Sequence, residues 1–155
     1  MNWLNYFIPY PKPIELEPLE WVNFKHNKDR LLFVHLNPTC LCLLVRMANY
    51  TKSKGHILTI TSTVSTKKED TLLKRKSDTH LTRRAFDVRI NDMSQPLIKD
   101  LIAEFNRTYA HLGAKAIDGS SRLIVHESDH LHVQLDRLFA EPPIDERLWN
   151  WASKQ

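Results

Sequence analysis

The chain has 155 residues, of which 42% are hydrophobic and 26% are charged, and its formal net charge at pH 7 is +4. This length supports one hydrophobic core, so we predict a single domain over residues 1–155 whose core spans 31–137. The sequence contains no apolar run near the ~20 residues of a membrane-spanning helix and no secretory signal, which excludes an integral membrane segment and predicts a protein that is cytoplasmic as synthesised.

The first 30 residues combine aromatic side chains with frequent prolines. The aromatic residues are Trp3, Tyr6, Phe7, Tyr10, Trp21 and Phe24, and the prolines are Pro9, Pro11, Pro13 and Pro18. The aromatics follow neither a helical nor a strand period, so we predict an extended segment over residues 1–30 that wraps over the core. The alternative is an arm that binds a partner protein.

A helix and a strand are predicted ahead of the most basic stretch. Asn37 and Pro38 are typical of an N-cap and a first helical residue, and apolar positions keep helical spacing up to Gly55, which predicts a helix over 38–53. Residues 56–62 are rich in β-branched side chains and predict a strand.

Residues 67–84 form a mostly basic stretch that we predict to be a loop. Its cations are Lys67, Lys68, Lys74, Arg75, Lys76, Arg83 and Arg84, against the acids Glu69, Asp70 and Asp78. Such a run is either a solvated surface or a surface that attracts an anionic polymer. The sequence has no helix-turn-helix signature and no strand motif of aromatic and basic residues, so we expect no nucleic-acid partner.

Next come a strand and the clearest helix of the chain. Apolar residues alternate with polar ones over 85–90, which predicts a strand with Asp87 on its polar face. Ser94 is a typical N-cap, and helical spacing then continues to Gly113. The apolar stripe that predicts a core helix is Ile98, Leu101, Ile102, Phe105, Tyr109 and Leu112.

The last third of the chain predicts two strands and a short helix. A turn at 118–121 precedes strands over 123–125 and 131–135, and Glu127 to Asp129 connect them. Alternation in the second strand directs both His130 and His132 away from the core. Two prolines at 142 and 143 precede an amphipathic helix over 144–152, in a C-terminal segment (138–155) that packs on the body or docks a partner through its tryptophans.

Three side chains in these segments are good zinc ligands, namely His80, Asp87 and His132. Two imidazoles and one carboxylate fill three corners of a tetrahedron and leave the fourth for a water molecule that the metal acidifies. His130 competes with His132 for the ligand role because both lie on one face of the predicted strand. Otherwise the histidines belong to a solvated polar face, and Asp87 forms a surface ion pair with Arg84 or Arg89.

The spacing of these ligands resembles the zinc D-alanyl-D-alanine carboxypeptidase and dipeptidase family, which includes phage endopeptidases and the Hedgehog signalling domain. His80, Ala85 and Asp87 match the motif S-x-H-x-x-G-x-A-x-D, and Asp129 and His132 match the later motif D/E-x-x-H. The resemblance covers residues 55–137. It implies that the two histidines and Asp87 hold Zn²⁺ and that Asp129 is the general base.

The second motif overlaps with another one of the same kind. Glu127 and His130 form an E-x-x-H two residues earlier, so Glu127 is the alternative general base. Hedgehog-like sites carry a Glu slightly farther before an H-x-H pair, an arrangement that would bring both histidines near the metal. We predict that the base is Asp129 or Glu127.

The chain departs from the family pattern at three places. Asp78 stands where the motif has Ser, and Arg83 stands where it has Gly. The family also carries an upstream S-x-x-R whose Arg contacts the substrate, whereas the comparable residues here are Ser62, Thr63, Val64 and Ser65. Arg83 or Lys67 would have to supply that cation, which stabilises developing negative charge.

The resemblance implies a fold and a function. The expected fold is α+β, with a small antiparallel sheet, helices on one face and a zinc cleft on the other. The expected function is a zinc peptidase that hydrolyses peptidoglycan stem peptides at the cell wall or in a virion, as a phage endolysin does, with Arg83 and His130 contacting substrate. The alternative is a non-catalytic phage structural, assembly or binding module that keeps the fold, with or without the zinc.

Overall fold

The computed structural model describes residues 21–155, and this part of the chain contains helices and a small sheet. The helices are α1 (Asn27–Leu32), α2 (Pro38–Ser53), α3 (Lys67–Leu72), α4 (Gln95–Tyr109) and α5 (Glu146–Ala152). The strands are β1 (Val22–Phe24), β2 (Leu58–Ser62), β3 (Ala85–Arg89), β4 (Ala114–Lys115), β5 (Ser121–Arg122), β6 (Ile124–His126) and β7 (His130–Gln134). The mixture agrees with the predicted α+β class.

Five of the strands form one sheet in the order β1-β2-β3-β7-β6, and β4 and β5 form a separate hairpin. The predicted antiparallel sheet has one parallel edge, where β1 pairs with β2. The remaining pairs are antiparallel. The central pair, β3 with β7, sets Asp87 directly opposite His132 and Arg89 opposite His130.

The core lies between the sheet and helices α2 and α4, which contact β2, β3 and β6. Phe86, Val88, Leu131 and Val133 point from the sheet into this core and are fully buried. Since side chains alternate along a strand, Asp87, His130 and His132 lie on the opposite face. Asn37 caps α2 by accepting a hydrogen bond from Thr39 N–H, and Ser94 caps α4 in the same way from Leu97 N–H.

Strand β2 contains an irregularity that affects the polar face of the sheet. Ile60 pairs with Val88, but Ser62 pairs with Asp87. A step of two residues along β2 therefore corresponds to a step of one residue along β3. This is the geometry of a β-bulge, which redirects the side chains that follow it. Ser62 consequently faces the same side as Asp87.

Two sequence predictions about secondary structure are wrong. Residues 67–72 are helical rather than loop, because Thr66 accepts a hydrogen bond from Glu69 N–H and caps α3. Residues 27–30, the end of the predicted extended wrap, are helical because they belong to α1, whereas residues 22–24 are extended as strand β1, and residues 1–20 of that wrap lie outside the described residues. Among helices within 21–155, none is long and apolar enough to cross a membrane.

Candidate metal centre

Three side chains that are distant in sequence meet on the polar face of the sheet. Asp87 comes from β3, His132 from β7, and His80 from the turn that leads into β3. One ligand atom from each lies within 4.8 Å of the other two, so the group could hold a metal ion. The structure brings together the three residues that the sequence nominated as ligands.

His80 is oriented by the backbone of the chain that follows β2. Its Nδ1 lies 2.5 Å from the carbonyl oxygen of Thr63, and because a carbonyl only accepts, Nδ1 must carry the hydrogen and donate. Nε2 then faces Asp87, whose two oxygens are both 3.2 Å away. This contact is favourable only with a cation at Nε2, which is a proton in the metal-free protein and would be the metal ion in the loaded one. A metal-ligating His usually donates its other N–H to a carbonyl group in this way.

Asp87 lies between both imidazoles and is only 7% exposed. Its Oδ1 accepts a hydrogen bond from Nδ1 of His132 at 2.7 Å. Burial by itself raises the pKa of Asp87, but the charge of His80 and the hydrogen bonds from His132 and His80 outweigh burial and hold that pKa well below its usual range. The carboxylate is therefore ionised in the folded protein and suited to bind a cation.

The alternative explanation of Asp87 as half of a surface ion pair is wrong. Arg84 Nη2 binds Asp78 Oδ1 at 2.8 Å, and Arg89 Nη2 binds Asp92 Oδ2 at 3.0 Å. Arg84 also donates to the carbonyl of Leu135, 2.5 Å away, so its guanidinium anchors the start of β3 to the end of β7. Both arginines are occupied elsewhere.

His130 lies beside the metal centre rather than in it. Its Nε2 is 3.7 Å from Asp87 Oδ1, and its Nδ1 is 2.7 Å from Asp129 Oδ1. The group of converging ligand atoms contains His132 and omits His130, which resolves the competition between the two histidines in favour of His132. His130 lines the cleft, where it can contact a bound molecule.

Of the two predicted acids, Glu127 faces the cleft and Asp129 does not. Glu127 N–H donates to the carbonyl of His130 at 2.9 Å, so Ser128 and Asp129 form a two-residue turn between β6 and β7. This turn leaves Glu127 opposite His130, on the cleft side, and projects Asp129 outward with 74% of its side chain exposed. Of the two acids that the motifs offer as the general base, Glu127 is therefore the one that lines the cleft.

The three ligands form the floor of an open cleft of about 690 Å³. One wall consists of β6, β7 and the connection between them, which contribute Val125, His130 and Glu127. The other wall is the chain that follows α3, which contributes three consecutive cations, Lys74, Arg75 and Lys76. The sequence indicates only a basic stretch over residues 67–84. It does not indicate that these three cations line a cleft.

Arg75 is the best fixed of these cations. Its Nη2 donates to Ser62 Oγ at 2.7 Å and lies 3.9 Å from Asp87 Oδ2, while Nη1 donates to Asp70 Oδ1 at 3.0 Å. No signal in the sequence separates Arg75 from its neighbours, because its position depends on the bulge in β2 and on the turn after α3. Its guanidinium places a positive charge at the edge of the candidate metal centre.

The two cations that the sequence suggested do not line the cleft. Arg83 Nη2 pairs with Glu141 Oε2 at 3.0 Å, and Arg83 instead lines a different depression, beside Pro38. The prediction that Arg83 contacts substrate is thus corrected. Its φ of 60° lies in the left-handed region that glycine favours, at the position where the family motif has Gly. Lys67 is an exposed residue at the start of α3.

The fold and this site define a mixed helix-and-sheet protein with a candidate metal centre on the polar face of its sheet. Comparison of the chain with protein-family models, curated proteins and solved structures gives no match. Function is therefore inferred from the geometry of the site, together with the motif spacing described above.

Proposed function

We propose that this protein is a zinc-dependent peptidase that hydrolyses peptidoglycan stem peptides. The observation that carries the proposal is the convergence of His80, Asp87 and His132 at the floor of a cleft that also contains a carboxylate and a fixed cation. The resemblance of the two motifs to the zinc carboxypeptidase family supplies the substrate class. A donor set of two nitrogens and one oxygen fits a catalytic zinc site, which keeps one position open.

The three ligands would hold Zn²⁺, and each is prepared for that role by its own contacts. His80 has its Nδ1–H committed to Thr63, Asp87 is ionised, and His132 Nε2 lies 3.2 Å from Thr79 Oγ1. His132 Nδ1, which donates to Asp87 in the metal-free protein, would release that proton when the ion binds. Bound Zn²⁺ supplies Lewis acidity, which polarises a carbonyl group and makes water more acidic.

Side chains in the walls of the cleft carry out the remaining steps. Glu127 is the general base: its carboxylate takes a proton from the attacking water and returns it to the leaving amine. Arg75 supplies a fixed positive charge toward the oxygen on which negative charge develops, and His130 contacts the peptide from the opposite wall. Asp129 orients His130 through the 2.7 Å contact to its Nδ1.

Digestion of purified cell walls tests the proposal. Wild-type protein loaded with zinc is incubated with walls of several stem-peptide chemistries, beside Glu127→Gln and Asp129→Asn, and released peptides are identified by mass spectrometry. We expect new fragments from the wild type, loss of at least about 10²-fold in rate with Glu127→Gln, and a much smaller loss with Asp129→Asn. The absence of fragments from every wall would reject the peptidase.

A non-catalytic binding or structural module is the second candidate. The observation that favours it is the exposure of Asp129, since the acid on the motif's base position does not line the cleft. Metal analysis and digestion together separate the two candidates. A module with a structural ion binds zinc stoichiometrically, loses it in His80→Ala, and releases no fragments.

A further inference from the structure

A chain of hydrogen bonds leads from the metal centre to Asp29 in helix α1. The carbonyl of Thr63 accepts from His80 Nδ1–H, and Asp29 Oδ1 accepts both from Thr63 N–H at 2.8 Å and from Thr63 Oγ1–H at 2.9 Å. All three residues are at most 2% exposed. A residue 51 positions upstream of His80 therefore holds the group that orients the imidazole.

A buried carboxylate such as that of Asp29 is energetically unfavourable if its only role is a structural contact. Its Oδ2 is buried and has no hydrogen-bond partner among residues 21–155. Burial raises the pKa of Asp29 more than the charge of Lys28 and the Thr63 hydrogen bonds lower it, so the site is an unfavourable one for a charge. An asparagine could accept the same two hydrogen bonds from Thr63 without carrying any charge.

We infer that Asp29 is a positioning residue for the metal centre, acting on His80 through Thr63. This inference rests on the proposed metal-binding function. The two hydrogen bonds fix the Thr63 carbonyl in place, and the negative charge behind it favours the Nδ1–H donor form and raises the basicity of Nε2. The result is a histidine that is held in the correct tautomer and binds a cation more tightly than an isolated imidazole.

Zinc affinity, compared among variants that are equally well folded, distinguishes a positioning role from a purely structural one. Zn²⁺ is titrated against a competing chelator at pH 8 into wild type, Asp29→Asn and Asp100→Asn, and thermal unfolding of each metal-free protein is recorded. Asp100 is an exposed acid of α4 that is bonded to Tyr50, so its variant controls for the loss of one charge. We expect Asp29→Asn to weaken zinc binding roughly 10-fold, the lower end of the range for outer groups of metal sites, and Asp100→Asn to leave it unchanged.

A second pair of variants covers the case in which Asp29→Asn does not fold. Thr63→Val removes one donor to Asp29 and Thr63→Ser keeps it, so zinc affinity should fall in the first and stay near wild type in the second. The Nδ1–H proton resonance of His80 gives an independent readout, because weakening of its hydrogen bond moves this resonance upfield in Asp29→Asn.

The outcomes are distinct. If the wild type binds zinc and folded Asp29→Asn or Thr63→Val binds it with the same affinity, Asp29 has no positioning role. The proposed metal site itself would still stand. If the wild type binds no zinc, the proposed function and this inference both fail.

Discussion

At the scale of single residues, Asp87 determines the electrostatics of the candidate centre. It is a buried carboxylate with an imidazole on each side and the Arg75 guanidinium 3.9 Å from its second oxygen. Removing the carboxylate would leave these groups without their common partner, and a buried charge that loses its partner is strongly destabilising. Asp87 therefore links the two histidines and is the residue of the candidate metal centre that lies closest to the Arg75 guanidinium.

The first residue-scale prediction compares Arg75 with Arg83. In Arg75→Gln we expect kcat/KM for peptide release to fall by about 10²-fold, because a fixed charge near the developing oxyanion is lost. Arg83→Gln is the matched control, since it removes the same group from an ion pair outside the cleft. Initial rates of fragment release measure both. Equal rates for the two variants would remove Arg75 from the proposed mechanism.

The three candidate ligands could be predicted from the sequence, whereas the acid and the cation that line the cleft could not. Asp87 and His132 are identified by alternation along strands, and all three candidate ligands are identified by motif spacing. Choosing between Glu127 and Asp129 requires the geometry of the turn between β6 and β7, which spacing does not encode. The position of Arg75 is set by tertiary contacts alone.

At the scale of elements, helix α3 positions the basic wall of the cleft. Thr66 caps this six-residue helix. Within the helix, the Glu69 carboxylate accepts hydrogen bonds from Lys28 Nζ of α1 and Trp149 Nε1 of α5. Directly after the helix, Lys74 has a φ of 53°, a left-handed conformation that turns the chain back. Arg75 N–H then donates to the carbonyl of Asp70 at 2.9 Å, and the Arg75 guanidinium donates to Asp70 and Ser62, so backbone and side chain are both held beside the cleft.

The element-scale prediction concerns the cap of α3. Thr66→Ala should lower the free energy of unfolding by about 1 kcal/mol, because Glu69 N–H loses its acceptor. Thr71→Ala, on an exposed position of the same helix, is the control and should change stability by less than about 0.5 kcal/mol. Urea unfolding of both variants measures the difference. A cap variant as stable as its control would show that Thr66 does not support the helix.

The two long helices were predictable, whereas two of the short elements, α3 and β1, were not. Helices α2 and α4 have 16 and 15 residues, enough for caps and a repeated apolar stripe to be recognised. Helix α3 has six residues, and its signal is the capping pair Thr66 and Glu69 within a run of charges that resembles a solvated loop. Strand β1 has three residues, and its parallel pairing with β2 depends on the path of the chain between them.

At the scale of the whole molecule, the candidate centre connects parts of the chain that are far apart in sequence. His80 and Asp87 precede helix α4 and His132 follows it, while Thr63 and Asp29 extend the network to the end of β2 and to α1. An ion bound by the three ligands would hold β3, β7 and the turn before β3 together. Because such a site does not exist in the unfolded chain, the binding free energy of the ion adds to folding stability.

The prediction at this scale is that zinc stabilises the entire domain against heat. At a free zinc concentration 100-fold above its dissociation constant, the gain is about 2.7 kcal/mol. For a chain of this size the midpoint of thermal unfolding moves by roughly 2–4 °C per kcal/mol, so we expect a rise of roughly 5–11 °C. Calorimetry of the metal-free protein with and without Zn²⁺ measures this rise.

Mg²⁺, which prefers six oxygen ligands, is the control ion and should produce no rise in the midpoint of thermal unfolding. Zn²⁺ should also produce no rise in His80→Ala. An equal rise in wild type and in His80→Ala would place the zinc somewhere other than the group of His80, Asp87 and His132.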